Sequence, residues 1–294
     1  MCSAFTLLEV LVATAVLALM MTFLFNLLGS SAKLWEIGNK KIEAAQAARV
    51  GLNIMAKDLK SAFAGNMTNY SSSGSTFYNI APFIGVDSSN SAITGTLTGD
   101  ASVALGSDQI FGVRLTSDSS NPYEQFGYQC VYVTKTDGFD NMRDKRYYLV
   151  CQNIPDAFYF KGSNPSSTWY NNPASSQNYP IVDNCIRLKF SYYGNQTSLT
   201  DQIIANGTRS FTPNGTWSAN ATTAHLPLGV LVTLSVIDSK TAEKIAAIKG
   251  NTALTGPEID NGLSSSPSAT LTPVERLISQ GSVTMSRFIP FNAN

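Results

Sequence analysis

Between Glu9 and Lys33 the chain carries no charged side chain, and residues 10–28 are apolar apart from Thr14, Thr22 and Asn26. A helix needs about 20 predominantly apolar residues to span a bilayer, so this stretch predicts a membrane-spanning helix over residues 5–28. A secretory signal would instead show a basic start, a shorter apolar run and a small-residue cleavage site on its far side. Ala13-Thr14-Ala15 lies too early for that. After Gly29 the texture becomes amphipathic: Leu34, Ile37, Ala45, Ala48, Leu52, Met55, Leu59 and Phe63 recur mostly at spacings of three and four, with Lys, Glu, Gln and Asp between them. This pattern continues the helix over residues 29–64, with Gly29, Gly38 and Gly51 as the places where it would bend. At 1.5 Å per residue, a helix from Phe5 to Ala64 would run to about 90 Å.

From Gly65 onward Ser, Thr, Asn and Gly dominate, and Asn69-Tyr70-Ser71-Ser72-Ser73-Gly74-Ser75 reads as a loop leaving the helix. Residues 65–294 therefore form a separate globular region. Apolar or alternating runs at 110–115, 127–134, 147–152, 185–193, 228–237 and 282–289 are rich in Val, Ile, Tyr and Phe and predict strands. Short connections, with Asp137-Gly138 between the second and third strands, make the sheet mainly antiparallel. Thr272-Pro273-Val274-Glu275 has the capping-box spacing, and residues 240–249 before Gly250 also read as a short helix. The fold class is α+β: a long amino-terminal helix packed on a mainly antiparallel sheet.

Composition narrows the function. Only 14% of the 294 residues are charged, against roughly 25% in an ordinary soluble protein. Twenty basic residues balance twenty acidic ones, which gives no global attraction to nucleic acid or anionic lipid. There is no Gly-x-Ser-x-Gly, no Walker phosphate loop and no paired-His metal helix, and the one histidine, His225, has apolar neighbours before a strand. Hydrolase and metalloenzyme readings are disfavoured, and no cofactor motif is present.

Glu9, a carboxylate at the start of a membrane helix, is costly and calls for a cationic partner at similar depth. The run Ala4-Phe5-Thr6-Leu7-Leu8-Glu9-Val10-Leu11-Val12-Ala13 closely resembles the processing and methylation motif of type IV pilins and type II secretion pseudopilins. The resemblance implies that residues 1–4 are a prepilin leader, that a prepilin peptidase cuts between Ala4 and Phe5, and that the new amino terminus at Phe5 is methylated. It also implies that Glu9 pairs with the terminal amine of a neighbouring subunit during assembly, so that a costly charge sets register. Two features depart from the family pattern: Met1-Cys2-Ser3-Ala4 is short and uncharged, and Ala4 stands where most relatives have Gly. Basic residues follow the span at Lys33, Lys40, Lys41 and Arg49, and counting them alone would place the bulk of the chain inside. The motif argues the opposite, a single-pass protein of the bacterial inner membrane with its carboxy-terminal domain in the periplasm.

The long helix, the β-rich region and the run Leu226-Pro227-Leu228-Gly229-Val230-Leu231-Val232-Thr233-Leu234 resemble the larger minor subunits of that family, PilW-like or J-type. The implied function is a non-enzymatic subunit of a type IV pilus or type II secretion pseudopilus. Its implied partners are the prepilin peptidase, other minor and major pilins or pseudopilins, and the inner membrane. The alternative is an adhesin or DNA-uptake subunit displayed by a pilin helix. For that role Arg143, Lys145, Arg146, Tyr147 and Tyr148 combine cations with aromatics, a mixture also expected of a charged hairpin edge.

Cys2 would leave with the leader, so Cys130, Cys151 and Cys185 remain, an odd number in a compartment where disulfides persist. If residues 128–135 and 146–152 form a hairpin about Asn141, Cys130 falls across from Cys151; Cys151 with Cys185 is the alternative pairing. Asp137, Asp140, Asn141 and Asp144 offer oxygen ligands of the kind calcium takes, but their spacing is not that of an EF-hand and suits a solvated turn.

Overall fold

The computed structural model describes residues 7–62, 67–70, 77–80, 83–86, 101–103, 106–115, 123–133, 147–154, 177–193, 208–211, 229–250, 252–265 and 270–291. The chain divides into two compact units, one ending at Glu43 and the other running from Ala44 to Asn294. Helix α1 spans Leu7–Lys60 and passes through Gly29, Gly38 and Gly51 as one helical element.

In the first unit, residues 7–43 are helical, and all of them are exposed except the half-buried Lys40. Lys40 pairs with Glu36 one turn earlier at 2.7 Å, an i,i+4 contact of modest worth on an open helix surface.

In the second unit, the end of α1 buries Ala44, Ala48, Gly51, Leu52, Met55, Ala56, Asp58 and Leu59. Their spacings of three and four place them on one face, and full burial of a Leu or Met side chain is worth about 1.5–3 kcal/mol. The helix stops four residues before the expected Ala64. Ser61 N–H turns back to the carbonyls of Lys57 and Asp58, and Ala62 N–H to that of Leu59, the tightened turn common at helix ends. Ala62 then leaves the helix to form a β-bridge with Arg114.

The strands are β1 (Met67–Tyr70), β2 (Phe77–Ile80), β3 (Phe83–Val86), β4 (Ala101–Val103), β5 (Gln109–Leu115), β6 (Tyr123–Val133), β7 (Tyr147–Ile154), β8 (Gln177–Asp183), β9 (Cys185–Tyr193), β10 (Thr208–Phe211), β11 (Gly229–Ile237) and β12 (Ser282–Pro290). β1 pairs with β2. A larger sheet has the order β10-β3-β5-β6-β7-β8, with β4 added to β6, and a smaller one runs β12-β11-β9. All the described pairings are antiparallel. The six expected strands are all present, with ends shifted by a few residues at most. β1, β2, β3, β4, β8 and β10 were not expected, and β1 occupies part of the stretch read as a loop after the helix.

Both faces of the larger sheet are buried. Ile110, Phe126, Tyr128, Cys130, Leu149 and Val182 join the core beneath α1, whereas Phe111, Val113, Val131, Val133 and Val150 are buried on the opposite face. Two-sided burial explains why β6 and β7 read as continuous apolar runs instead of clean alternation. Phe126 lies across from Gly112 and Phe111 across from Gly127, each ring filling the space where a Cβ on the facing glycine would be.

Asn184 turns the chain from β8 in one sheet to β9 in the other. Its φ of 57° is left-handed, a conformation Asn tolerates better than most residues. Its N–H donates to the Tyr147 carbonyl at 2.7 Å, and its own carbonyl accepts from Ile237 N–H at 3.0 Å. A second tie comes from Asp108, whose carboxylate accepts from Phe190 N–H and from Lys189 Nζ, each at 3.0 Å.

Among the described residues there are also three short helices: α2 (Ser239–Lys249), α3 (Gly256–Leu263) and α4 (Pro273–Gly281). α2 and α4 fall where the sequence placed them. α3 begins with Thr255-Gly256-Pro257-Glu258, the same capping box as Thr272–Glu275, and both boxes are formed in both directions.

Candidate functional site

The exposed apolar stretch of α1 is the chain's most distinctive surface. Leu7 is 84% exposed, Phe23 71% and Phe25 70%, and an 18-residue window within the helix has a mean hydropathy of 2.4 with none of it buried. Thr14 and Thr22 donate their hydroxyls to the carbonyls of Leu11 and Ala18, at 2.9 and 2.8 Å. Back-bonding of this kind satisfies a hydroxyl within its own helix, as an apolar surround requires. A helix apolar on all sides is stable in lipid or when covered by other apolar surfaces. Among the described residues there is one candidate membrane-spanning helix, near the amino terminus, as a single-pass membrane-anchored protein would have.

Glu9 lies in the exposed first turn of α1, where a carboxylate interacts favourably with the helix dipole. Ala4 and Phe5 lie outside the described residues, as do Asp137, Asp140, Asn141, Asp144, Arg143, Lys145, Arg146 and His225. Among the described residues, no three His, Cys, Asp or Glu side chains come together to hold a metal ion. Tyr147 and Tyr148, grouped above with those cations as a surface mixture, are instead only 6% and 4% exposed. Tyr147 stacks at 4.8 Å on Tyr132, and its hydroxyl accepts from Leu254 N–H. The pair serves the core because the strand continues inward from its first residue.

The cysteines are arranged differently from the expected hairpin. The β6–β7 register sets Cys130 across from Leu149 and Cys151 across from Tyr128, so Cys130 and Cys151 are not directly opposed. The ladder is offset by two residues from the register that would oppose Cys130 and Cys151, which slides the two cysteines apart.

The same register builds a buried polar cluster under the end of α1. Asp58, on the helix face that otherwise carries Met55 and Leu59, accepts from Arg114 Nη1 at 2.5 Å and from the Tyr128 hydroxyl at 2.5 Å. Arg114 Nε donates to Glu124 at 2.7 Å, and Cys151 completes the group through a hydrogen bond with Tyr128. Burial, reinforced by Cys151 and Asp58, drives the Tyr128 phenol far above its ordinary range. Burial also raises the Cys151 thiol to about 11, with the Tyr128 hydrogen bond opposing it. For Arg114, burial works against the charge, but Glu124 and Asp58 outweigh it and raise its pKa. At neutral pH the phenol and thiol are protonated and the guanidinium charged. The cluster holds the helix end to β5, β6 and β7, and a protonated buried thiol is a poor nucleophile.

Two further features seat the helix. Asn53 accepts from Arg287 of β12. At Gly51 the helix approaches the sheets so closely that a Cβ would lie 2.7 Å from Val182, 3.1 Å from Leu149 and 3.2 Å from Leu234. This glycine marks close packing where the sequence had suggested a bend. Asp58 was also detectable in principle as the charged residue three positions after Met55 on an apolar stripe, but its partners lie 56 and 70 positions away along the chain. Compared with protein-family models, with curated proteins and with solved structures, the chain matches none.

Proposed function

We propose that this protein is a minor subunit of a type IV pilus or type II secretion pseudopilus. In this reading it is inserted as a prepilin, cut between Ala4 and Phe5, methylated at Phe5, and carried by α1 into an assembly at the periplasmic face of the inner membrane. The observation that supports it most is the two-part character of α1. Residues 7–43 are almost wholly exposed and mostly apolar, while the face from Ala44 to Leu59 is buried on the sheets. The exposed part suits lipid before assembly and neighbouring apolar helices after it. The buried part ties the helix to a globular head through Asp58, Gly51 and Asn53. In this reading the role is structural: the work is packing and register, with Glu9 supplying the charge that a neighbour's terminal amine would meet. Partners are the prepilin peptidase and other pilins or pseudopilins.

Mass spectrometry of the mature amino terminus, on protein isolated from membranes, tests the reading. A peptide beginning with N-methylated Phe5 is the expected result. An intact Met1, or a terminus beyond residue 15, would remove the basis for assembly as a pilin.

A further inference from the structure

We infer that Cys130 and Cys185, both free thiols in this structure, form a disulfide that staples the larger sheet to the smaller one, with Cys151 left as a thiol. Formation of the bond in the cell rests on the periplasmic placement proposed above, because disulfides persist in oxidising compartments.

Cys130 lies in the middle of β6 on the face beneath α1, and Cys185 is the first residue of β9, directly after the Asn184 corner. A bulge follows the corner: Val236 pairs with Cys185 but Ser235 pairs with Arg187. The extra residue breaks the alternation, so Cys185 and Ile186 are both fully buried. This turns Cys185 toward β6. Cys130 Sγ donates to the Cys185 carbonyl at 2.6 Å, Cys185 Sγ donates to the Arg187 carbonyl at 3.7 Å, and the two thiols are near enough to interact electrostatically. Closing the pair brings the two sulfurs to about 2.05 Å.

The other pairings are less favourable. Cys130 and Cys151 are diagonal neighbours in the β6–β7 ladder. Diagonal positions lie about 7–8 Å apart, beyond the roughly 4.4–6.8 Å between Cα atoms that a disulfide spans. The Cys151 thiol is engaged with Tyr128 in the Asp58 cluster, whereas the Cys185 backbone already receives the Cys130 thiol.

The reaction is a two-electron exchange with the disulfide of a thiol oxidoreductase or of oxidised glutathione. One thiolate attacks the oxidant to give a mixed disulfide, and the second thiolate displaces the oxidant's remaining sulfur. The Cys130–Cys185 bond forms, the oxidant's disulfide is reduced to two thiols, and the two protons lost by the cysteines end on them. Both cysteine side chains are fully buried in the folded chain, so the exchange accompanies folding.

The test uses the full chain carrying Cys2→Ser, unfolded and reduced, then refolded in detergent with a reduced and oxidised glutathione mixture. After acid quenching and denaturation, remaining thiols are blocked with N-ethylmaleimide and peptides are mapped without reduction. The expected product joins the Cys130 and Cys185 peptides, with the label on Cys151. Adding Cys151→Ser should leave the crosslink intact, and adding Cys185→Ser should abolish it. A linkage through Cys151, or label on all three cysteines, overturns the pairing. The same map on protein isolated from cells separates the two ideas. Thiols there, alongside a Cys130–Cys185 link after refolding, would overturn the periplasmic placement and leave the pairing standing.

Discussion

Removing the carboxylate of Asp58 tests whether the end of α1 is held by charge as well as by apolar packing. Asp58 is 7% exposed and receives two short hydrogen bonds, one from the Arg114 guanidinium and one from the buried Tyr128 hydroxyl. Removing one member of a buried ion pair costs about 3–5 kcal/mol because the partner's charge is stranded. Here the cost falls at the lower end, since the Arg114 side chain is 25% exposed and keeps Glu124 at 2.7 Å. The stranded Tyr128 hydroxyl contributes part of it, about 1–3 kcal/mol for a buried donor without an acceptor. The net expectation for Asp58→Ala is a loss of about 3 kcal/mol. In a unit the size of Ala44–Asn294 that lowers the unfolding midpoint by about 6–12 °C. Asp58→Asn keeps an acceptor for Tyr128 and loses only the charge, so its shift should be about half as large. The assay is thermal unfolding of the full chain in detergent by near-ultraviolet circular dichroism, with hydrogen exchange of the Leu52–Lys60 amides as the local readout. A shift under about 2 °C for Asp58→Ala, with unchanged exchange at the helix end, would refute the argument that this cluster anchors the helix.

The remaining predictions concern other parts of the same chain. Gly51→Ala gains up to about 1 kcal/mol of helix propensity but sets a Cβ 2.7 Å from Val182, an overpacking cost of about 1–3 kcal/mol. It should therefore be neutral to destabilising in the same unfolding assay, and Gly51→Leu clearly worse. Thr255→Ala removes the N-cap of α3 and should cost about 0.5–2 kcal/mol, read as faster hydrogen exchange in residues 256–263. For Glu258, burial raises the carboxyl pKa, but the Thr255 N–H and the Lys249 ammonium outweigh it and hold it below its ordinary value. Its contribution is therefore complete above the unfolded carboxylate pKa of about 4.3 and is lost as pH falls through the lower folded value. The unfolding midpoint should drop on acidification below about pH 5, and Glu258→Gln should flatten that part of the profile. Finally, Glu9→Ala should leave membrane insertion intact and block incorporation into the filament, measured by fractionating sheared filaments from membranes; normal incorporation would sink the pairing role of Glu9.

Local pattern alone located the apolar helix, its amphipathic continuation, six strands and two of the three short helices among the described residues. Each of these carries its signal within a few consecutive residues: a charge-free run, a spacing of three and four, or a cap such as Thr272-Pro273-Val274-Glu275. The missed strands lack such a signal. β3 and β10 are four residues long, and β8 contains Pro180 beside a register shift, as an edge strand can tolerate. α3 does carry a local signal, the capping box in Thr255-Gly256-Pro257-Glu258.

The charge-free run after Glu9 is a property of the linear chain, so the sequence by itself determined the apolar helix, and the motif around Ala4 and Phe5 is the basis of the processing proposed above. Which residues meet was decided only by the tertiary structure. Asp58 finds Arg114 and Tyr128, and Cys130 finds Cys185 in place of Cys151, because the β6–β7 register and the Asn184 corner bring distant segments together. Register is set by the summed packing of a whole sheet against α1. A shift of one residue in the centre of a hairpin, invisible to any local pattern, changes every cross-strand partner.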